Sequence, residues 1–405
     1  MKTVAAFTVA FFVVACGSGG SDRGAGGTAS SGGAQGGASS GTGTPTGAGG
    51  ATAGTGGTTG AGGGSSSSGS SVSSSSSSSS GSSSGSTADC GVVPVDPDAT
   101  PQAKALLCYL YSQYGNHVLT GQQETSWDAD PTVDVTYINA TTGHYPAVLG
   151  QDLLYAPASQ GGGAESMGTT PPPSSTTSRA VAWWNAGGIS EICYHMGAPG
   201  LPDSYDNAKT AVPTGLPSVL TAGSAAYTSF LHKLDYAAAE LAYLQANNVA
   251  VIYRPFHETG GDWFWWSMGT GAQYVQLWEF VFNYFTHTKG LHNIVWMLAY
   301  DGSPEASFFP PKTYADISGG DTYATNQPFS QLYSQVKAIA GGTMPLALHE
   351  TGTIPQPSAC FTGAAAPWLL FNTWSGYEQS ANTPATIKSA YSDPHAITRD
   401  LLPKL

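Results

Sequence analysis

The chain has 405 residues, 40% of them hydrophobic and 10% charged, with a formal net charge of −13 at pH 7. That acidic balance argues against nucleic acid or an anionic polysaccharide as partner; a neutral substrate fits better.

The opening MKTVAAFTVAFFVVAC carries one Lys, then an apolar run too short to span a bilayer, then the small-residue site Val13-Val14-Ala15-Cys16. Residues 1–16 look like a lipoprotein-type signal with Cys16 as the lipid-bearing first residue of the mature chain. This predicts an extracellular or cell-surface protein, lipid-anchored to a membrane through Cys16; read instead as an ordinary secretory signal, the segment still exports the chain. Residues 17–88 are almost wholly Gly, Ser, Thr and Ala, with Asp22 and Arg23 as their charges. With nothing to bury they are expected to be a disordered linker, with a reach on the order of 45 Å. GSSSG at 81–85 matches the Gly-x-Ser-x-Gly nucleophile motif as a string, but that motif needs a strand before it and a helix after it, so the match is chance.

Residues 89–405 hold all ten Trp and set 11 bases against 25 acids, enough apolar sequence for one large core. Cys90 and Cys108 flank a short segment leading into the first helix, where a disulfide would pin the start of the domain. Cys193 is either a buried free thiol or a partner of Cys360.

Apolar, β-branched runs then alternate with helix-period segments. They begin at HVLTGQQ (117), PAVLGQDL (146), GISEICYHM (188), VAVIYRPFHE (249), NIVWMLAYD (293), DISGGDTY (316), PLALHETG (345) and PWLLFNTW (367). Eight such runs with intervening helices predict an α/β fold, a (β/α)8 barrel over 89–405. The clearest amphipathic helices are AYTSFLHKLDYAAAELAYLQANN and AQYVQLWEFVFNYF. A Pro/Gly-rich insert at 161–175 reads as a long loop at the barrel top.

In this fold the carboxyl ends of the strands build the site. Period two predicts Arg254, Phe256 and Glu258 on one side of strand 4, and Leu346, Leu348 and Glu350 on one side of strand 7. The two glutamates, 92 residues apart, are three βα units from each other and should converge over the barrel mouth. Paired carboxyls beside aromatics are the requirement of glycoside hydrolysis: one group protonates the leaving oxygen and the other attacks or stabilises the anomeric carbon. Trp and Tyr faces suit sugar rings. Trp263, Trp265 and Trp266 are each core or platform; His195 and Tyr323 are site or packing. His257 lacks the second His of a zinc protease motif, no cysteine pair has metal-ligand spacing, and neither metal nor cofactor is expected.

The block Arg254-Pro-Phe-His-Glu-Thr-Gly-Gly-Asp-Trp-Phe-Trp-Trp266 resembles the acid/base signature of glycoside hydrolase family 26, mostly retaining endo-β-1,4-mannanases on a (β/α)8 barrel. The similarity extends over most of 115–402. It implies Glu258 as acid/base and Glu350 as nucleophile, Tyr323 bonded to that nucleophile, and Arg254 below the carboxylates. It further implies His195, His257 and Trp263 at the subsites beside the cleaved bond, and Trp374 as a sugar platform. The expected protein is a monomer that cleaves mannan, galactomannan or glucomannan. The alternatives are another neutral β-glycan (a β-glucan or β-1,3-xylan) and a non-catalytic surface carbohydrate-binding protein. The sequence departs from the family around Leu-His-Glu-Thr-Gly and in CYHMGAPG after strand 3, which bears on the sugar subsites.

Overall fold

The computed structural model describes residues 90–128, 130–154, 173–363 and 365–405. The signal and Cys16, the linker, GSSSG and the insert as far as residue 172 lie outside the described residues. Among the described residues no helix is long and apolar enough to cross a membrane.

Each of the eight runs supplies one barrel strand. They are β1 (Gly121–Gln123), β2 (Val148–Asp152), β3 (Ile189–Cys193), β4 (Val251–Arg254), β5 (Ile294–Ala299), β6 (Ile317–Thr322), β7 (Leu346–Thr351) and β8 (Phe371–Thr373). All pair in parallel in chain order, and β8 closes on β1 through Gln122 and Thr373. Their side chains divide between two layers. Val251, Tyr253, Ile294, Trp296 and Leu298 join the layer under the helices, while Ile252, Val295, Met297 and Ala347 fill the barrel interior. This is the alternation expected of strands buried on both faces.

Helix α1 (Pro101–Gln113) begins where Thr100 accepts a hydrogen bond from the Ala103 amide and Pro occupies the first turn, both start signals. Leu106, Leu107 and Leu110 enter the interior cluster, so α1 closes the end of the barrel opposite the strand carboxyl termini. Cys90 is bonded to Cys108 on this helix, with Cα atoms 5.9 Å apart; Cys193 and Cys360 are free and buried. The two amphipathic segments form α4 (Ala225–Ala246), after α2 (Val133–Thr142) and α3 (Ser175–Asn185), and α5 (Gly271–Asn283). Ser224 caps α4, and Thr270 with Gln273 makes a reciprocal capping box on α5.

Three expectations are corrected. Helices do not intervene everywhere: β5 to β6 is bridged by 3-10 turns at Ala306–Phe308 and Lys312–Tyr314, and β7 to β8 by one at Pro357–Phe361. Next, Arg254, Phe256 and Glu258 do not share a side. The strand ends at Arg254, Phe256 packs on Trp265, Trp266 and Tyr274 in the helix-side layer, and Glu258 takes a left-handed φ of 52°. Finally, Leu346 and Leu348 face the helix-side layer but Glu350 does not follow them. Pairing with β6 runs Gly320 to Leu348 and then Asp321 to Glu350, so His349 is an extra residue in β7. This bulge turns Glu350 inward.

Candidate active site

Arg254, the last residue of β4, is fully buried and stands between two carboxylates. Its Nε lies 2.7 Å from Oε1 of Glu191 in an angled ion pair, and its Nη1 donates to Oε2 of Glu350 at 3.3 Å. The other oxygen of Glu350 accepts from the Tyr323 hydroxyl at 2.6 Å. Burial pushes Glu350 up to about 7, and the charge of Glu258 adds to that rise; Arg254 and the Tyr323 hydrogen bond pull the other way.

Glu258 sits on the loop after β4, and its Oε2 accepts from Nε1 of Trp263 at 2.6 Å. An oxygen from each of Glu258, Asp321 and Glu350 lies within 4.8 Å of the other two. Asp321 is fully buried and hydrogen-bonded to Glu258; burial first, then the charge of Glu258, raises it well above the ordinary carboxylate range. Three acids this close in a buried pocket cannot all be ionised, and Asp321 is the one whose surroundings most favour keeping its proton.

On the β2–β3 side, Asp152 accepts from the His195 amide at 3.2 Å and from Nδ1 of the ring. On its other side, Nε2 of His195 lies 2.9 Å from Nε2 of His257, within hydrogen-bond distance. Burial, helped by the neighbouring His195 and Arg254, holds His257 well below the usual imidazole range, so it is neutral. The liganding atoms of Cys193, His195 and His257 also lie within 4.8 Å of one another, but the facing nitrogens of the two histidines bond to each other.

The tryptophans divide. Trp265 and Trp266 are fully buried, and their Nε1 atoms donate to the carbonyls of Met196 and His257. Trp263 is 38% exposed at the mouth. Trp374 is 9% exposed, lies edge-on to His195 and stacks on Trp127, itself 42% exposed, at 5.9 Å between ring centroids. All eight residues picked out from the sequence as site residues therefore gather at the carboxyl end of the barrel. Asp152, the polar residue that ends the second apolar run, belongs with them, as do Glu191, Asp321 and Trp127, which were not picked out. A glutamate in the middle of ISEIC, an apolar run, was a visible anomaly. So was a tryptophan just past the first strand.

A family model for glycosyl hydrolase family 26 matches residues 95–401. A mannan endo-1,4-beta-mannosidase of Thermothelomyces thermophilus is 29% identical over 318 residues, 75% of this chain and 62% of that protein. A second, from Bacillus subtilis, is 28% identical over 279 residues, 64% and 74% of the two chains. The chain thus spans about six-tenths of the Thermothelomyces relative, and 53% of a Piromyces mannan endo-1,4-beta-mannosidase B that it also matches. Among solved structures, the Podospora anserina GH26-CBM35 beta-(1,4)-mannanase superposes with a TM-score of 0.65 at 30% identity, covering 76% of this chain and 68% of that one. A beta-mannanase from a symbiotic protist of the termite Reticulitermes speratus, complexed with gluco-manno-oligosaccharide, gives 0.66 at 25% identity over 77% and 98%. With a closed eight-stranded barrel and a family match over three-quarters of its length, the chain belongs to glycosyl hydrolase family 26.

Proposed function

We propose that the chain is a retaining endo-β-1,4-mannanase acting on mannan, galactomannan or glucomannan. The observation that carries the mechanism is the approach of Glu258 and Glu350 to within 4.8 Å. Retaining glycosidases hold their carboxyls about 5–5.5 Å apart, whereas inverting ones need about 6.5–9.5 Å to admit a water. The relatives called mannan endo-1,4-beta-mannosidases support the substrate.

In this reading Glu350 attacks the anomeric carbon while Glu258 passes its proton to the departing oxygen, so the C–O bond breaks as the glycosyl ester forms. Glu258 then takes a proton from the water that cleaves the ester. Arg254 and Tyr323 keep Glu350 ionised and aimed, against a burial that would otherwise neutralise it. Asp321, hydrogen-bonded to Glu258 and itself raised by burial, stands beside the acid as a neighbouring proton-bearing group. His195 and Trp263 line the subsites beside the cleaved bond, with the fully buried His257 supporting His195 from behind, and Trp374 with Trp127 forms the platform for the sugar ring. The acidic balance of the domain suits an uncharged polysaccharide.

Residues 1–88 are proposed to export this domain and tether it through a lipid on Cys16. Reducing-sugar release on mannan, galactomannan, lichenan and β-1,3-xylan tests the activity. Turnover confined to the mannans is expected; turnover only of lichenan or xylan reassigns the substrate, and binding without release of sugar makes the protein a carbohydrate binder.

A further inference from the structure

Glu191 has no part in the chemistry just described, yet it is a fully buried acid inside the barrel. It occupies the middle of β3, whose other interior positions are apolar or uncharged, and its pairing neighbours are Gly150 on β2 and Ile252 on β4. Among the described residues the one cation it meets is Arg254, whose Nε is 2.7 Å from Oε1, while the far end of the same guanidinium bonds Glu350. One positive charge is therefore divided between two buried carboxylates. A buried acid is costly unless it is paired, and a core position is filled more cheaply by an apolar side chain.

We propose that Glu191 is a positioning residue for the reaction: it holds Arg254 from the side opposite Glu350 and takes a share of the guanidinium charge, so that it sets how firmly Glu350 is kept as a carboxylate. The inference rests on Glu350 being the nucleophile. Two physical consequences follow. Anchored at Nε, the guanidinium plane cannot swing away from Glu350 when that residue moves to attack. And with two acids on one base, each raises the other: burial pushes Glu191 up to about 7, opposed by Arg254 and reinforced by Glu350. The other charged or titratable groups around Glu350 are Glu258 and Asp321 on its open side, Tyr323 at Oε1, His195 across the pocket and His349 beside it in the chain. None of these groups is paired with Glu191, so a change at Glu191 reaches Glu350 through Arg254 and through the direct repulsion between the two carboxylates.

The test is the pH profile of kcat/KM on a soluble mannan. Glu191→Gln keeps an acceptor for Nε but removes the competing charge. Its acid limb, where Glu350 takes up a proton, should move toward lower pH by about one unit, about tenfold in kcat/KM well below the limb. Glu191→Asp keeps the charge but withdraws it from Nε, so its limb should stay at the wild-type pH while kcat falls and KM changes little. A folded Glu191→Gln enzyme whose limb has not moved overturns the proposal, as does an aspartate variant whose limb moves as far as that of the glutamine variant. If Glu191→Gln does not fold, the aspartate variant decides: unchanged kcat overturns the positioning role. Glu350→Ala is run alongside. If it remains active, the reading of the site has failed; if it is inactive and the limbs do not respond, only the role of Glu191 has.

Discussion

Trp263 shows how a single side chain joins the aromatic wall to the chemistry, since the ring that faces solvent at the mouth also donates its N–H to Glu258. Trp263→Phe keeps the apolar face and removes the donor. It should lower kcat/KM about threefold to tenfold with little change in melting temperature, because a hydrogen bond contributes about 0.5–1.5 kcal/mol. Trp127 and Trp374 stack as one platform but differ in burial, 42% against 9% exposed. Trp127→Ala should therefore raise KM for short oligosaccharides at a stability cost under about 1 kcal/mol. Trp374→Ala should do the same at a cost of about 3 kcal/mol, read by denaturant unfolding. Composition could place all three tryptophans of the 263–266 block near the site, but not decide which faces it. That is settled by the path of the loop through the left-handed residue Glu258 and through Gly260 at φ 97°, and no periodicity encodes such a path.

The strands were the most legible elements, because apolar runs buried on two faces stand out against Gly- and Pro-rich connections. The convergence of Glu258 and Glu350 was legible too, from unit spacing and the rule that strand carboxyl ends carry the site. The route by which each glutamate arrives was not. Alternation would have sent Glu350 outward with Leu348, and only the extra residue His349 reverses it. A bulge leaves little trace in a single sequence, since its cause is the pairing of the neighbouring strand. The missing helices after β5 and β7 were hidden in the same way, as short turns capped by local contacts. At the other end of the barrel, the Cys90–Cys108 bond closes an 18-residue separation onto α1. Replacing both with Ser should cost about 3 kcal/mol by thermal unfolding while leaving kcat unchanged, because the bond constrains the unfolded chain and stands far from the mouth.

Five buried or largely buried acids, Glu191, Glu350, Asp301, Asp316 and Glu378, are each pushed up to about 7, burial being the main cause in every case. A raised acid binds its proton more tightly in the folded than in the unfolded chain. Its contribution to stability is full below the unfolded value near 4 and is lost as pH rises through about 7. The domain should therefore melt about 5 °C or more higher at pH 5 than at pH 8 by scanning calorimetry; a melting temperature that rises toward pH 8 would contradict these assignments. Residues 17–88 offer nothing to bury, so a chain starting near Asp89 should keep full activity on soluble mannan; under the proposed lipid anchor it should also be absent from the membrane fraction, and its persistence there would refute that anchor. The central claim is the division of labour between the two glutamates, and the most direct measurement is pre-steady-state release of dinitrophenolate from an activated mannoside, with and without azide. Glu258→Ala should give a burst and then stall, since such a leaving group needs no proton but the ester has lost its base, and azide should restart it. Glu350→Ala should give no burst, because no carboxylate remains to attack. The two variants showing each other's pattern, or both retaining wild-type activity on mannan, would contradict the account.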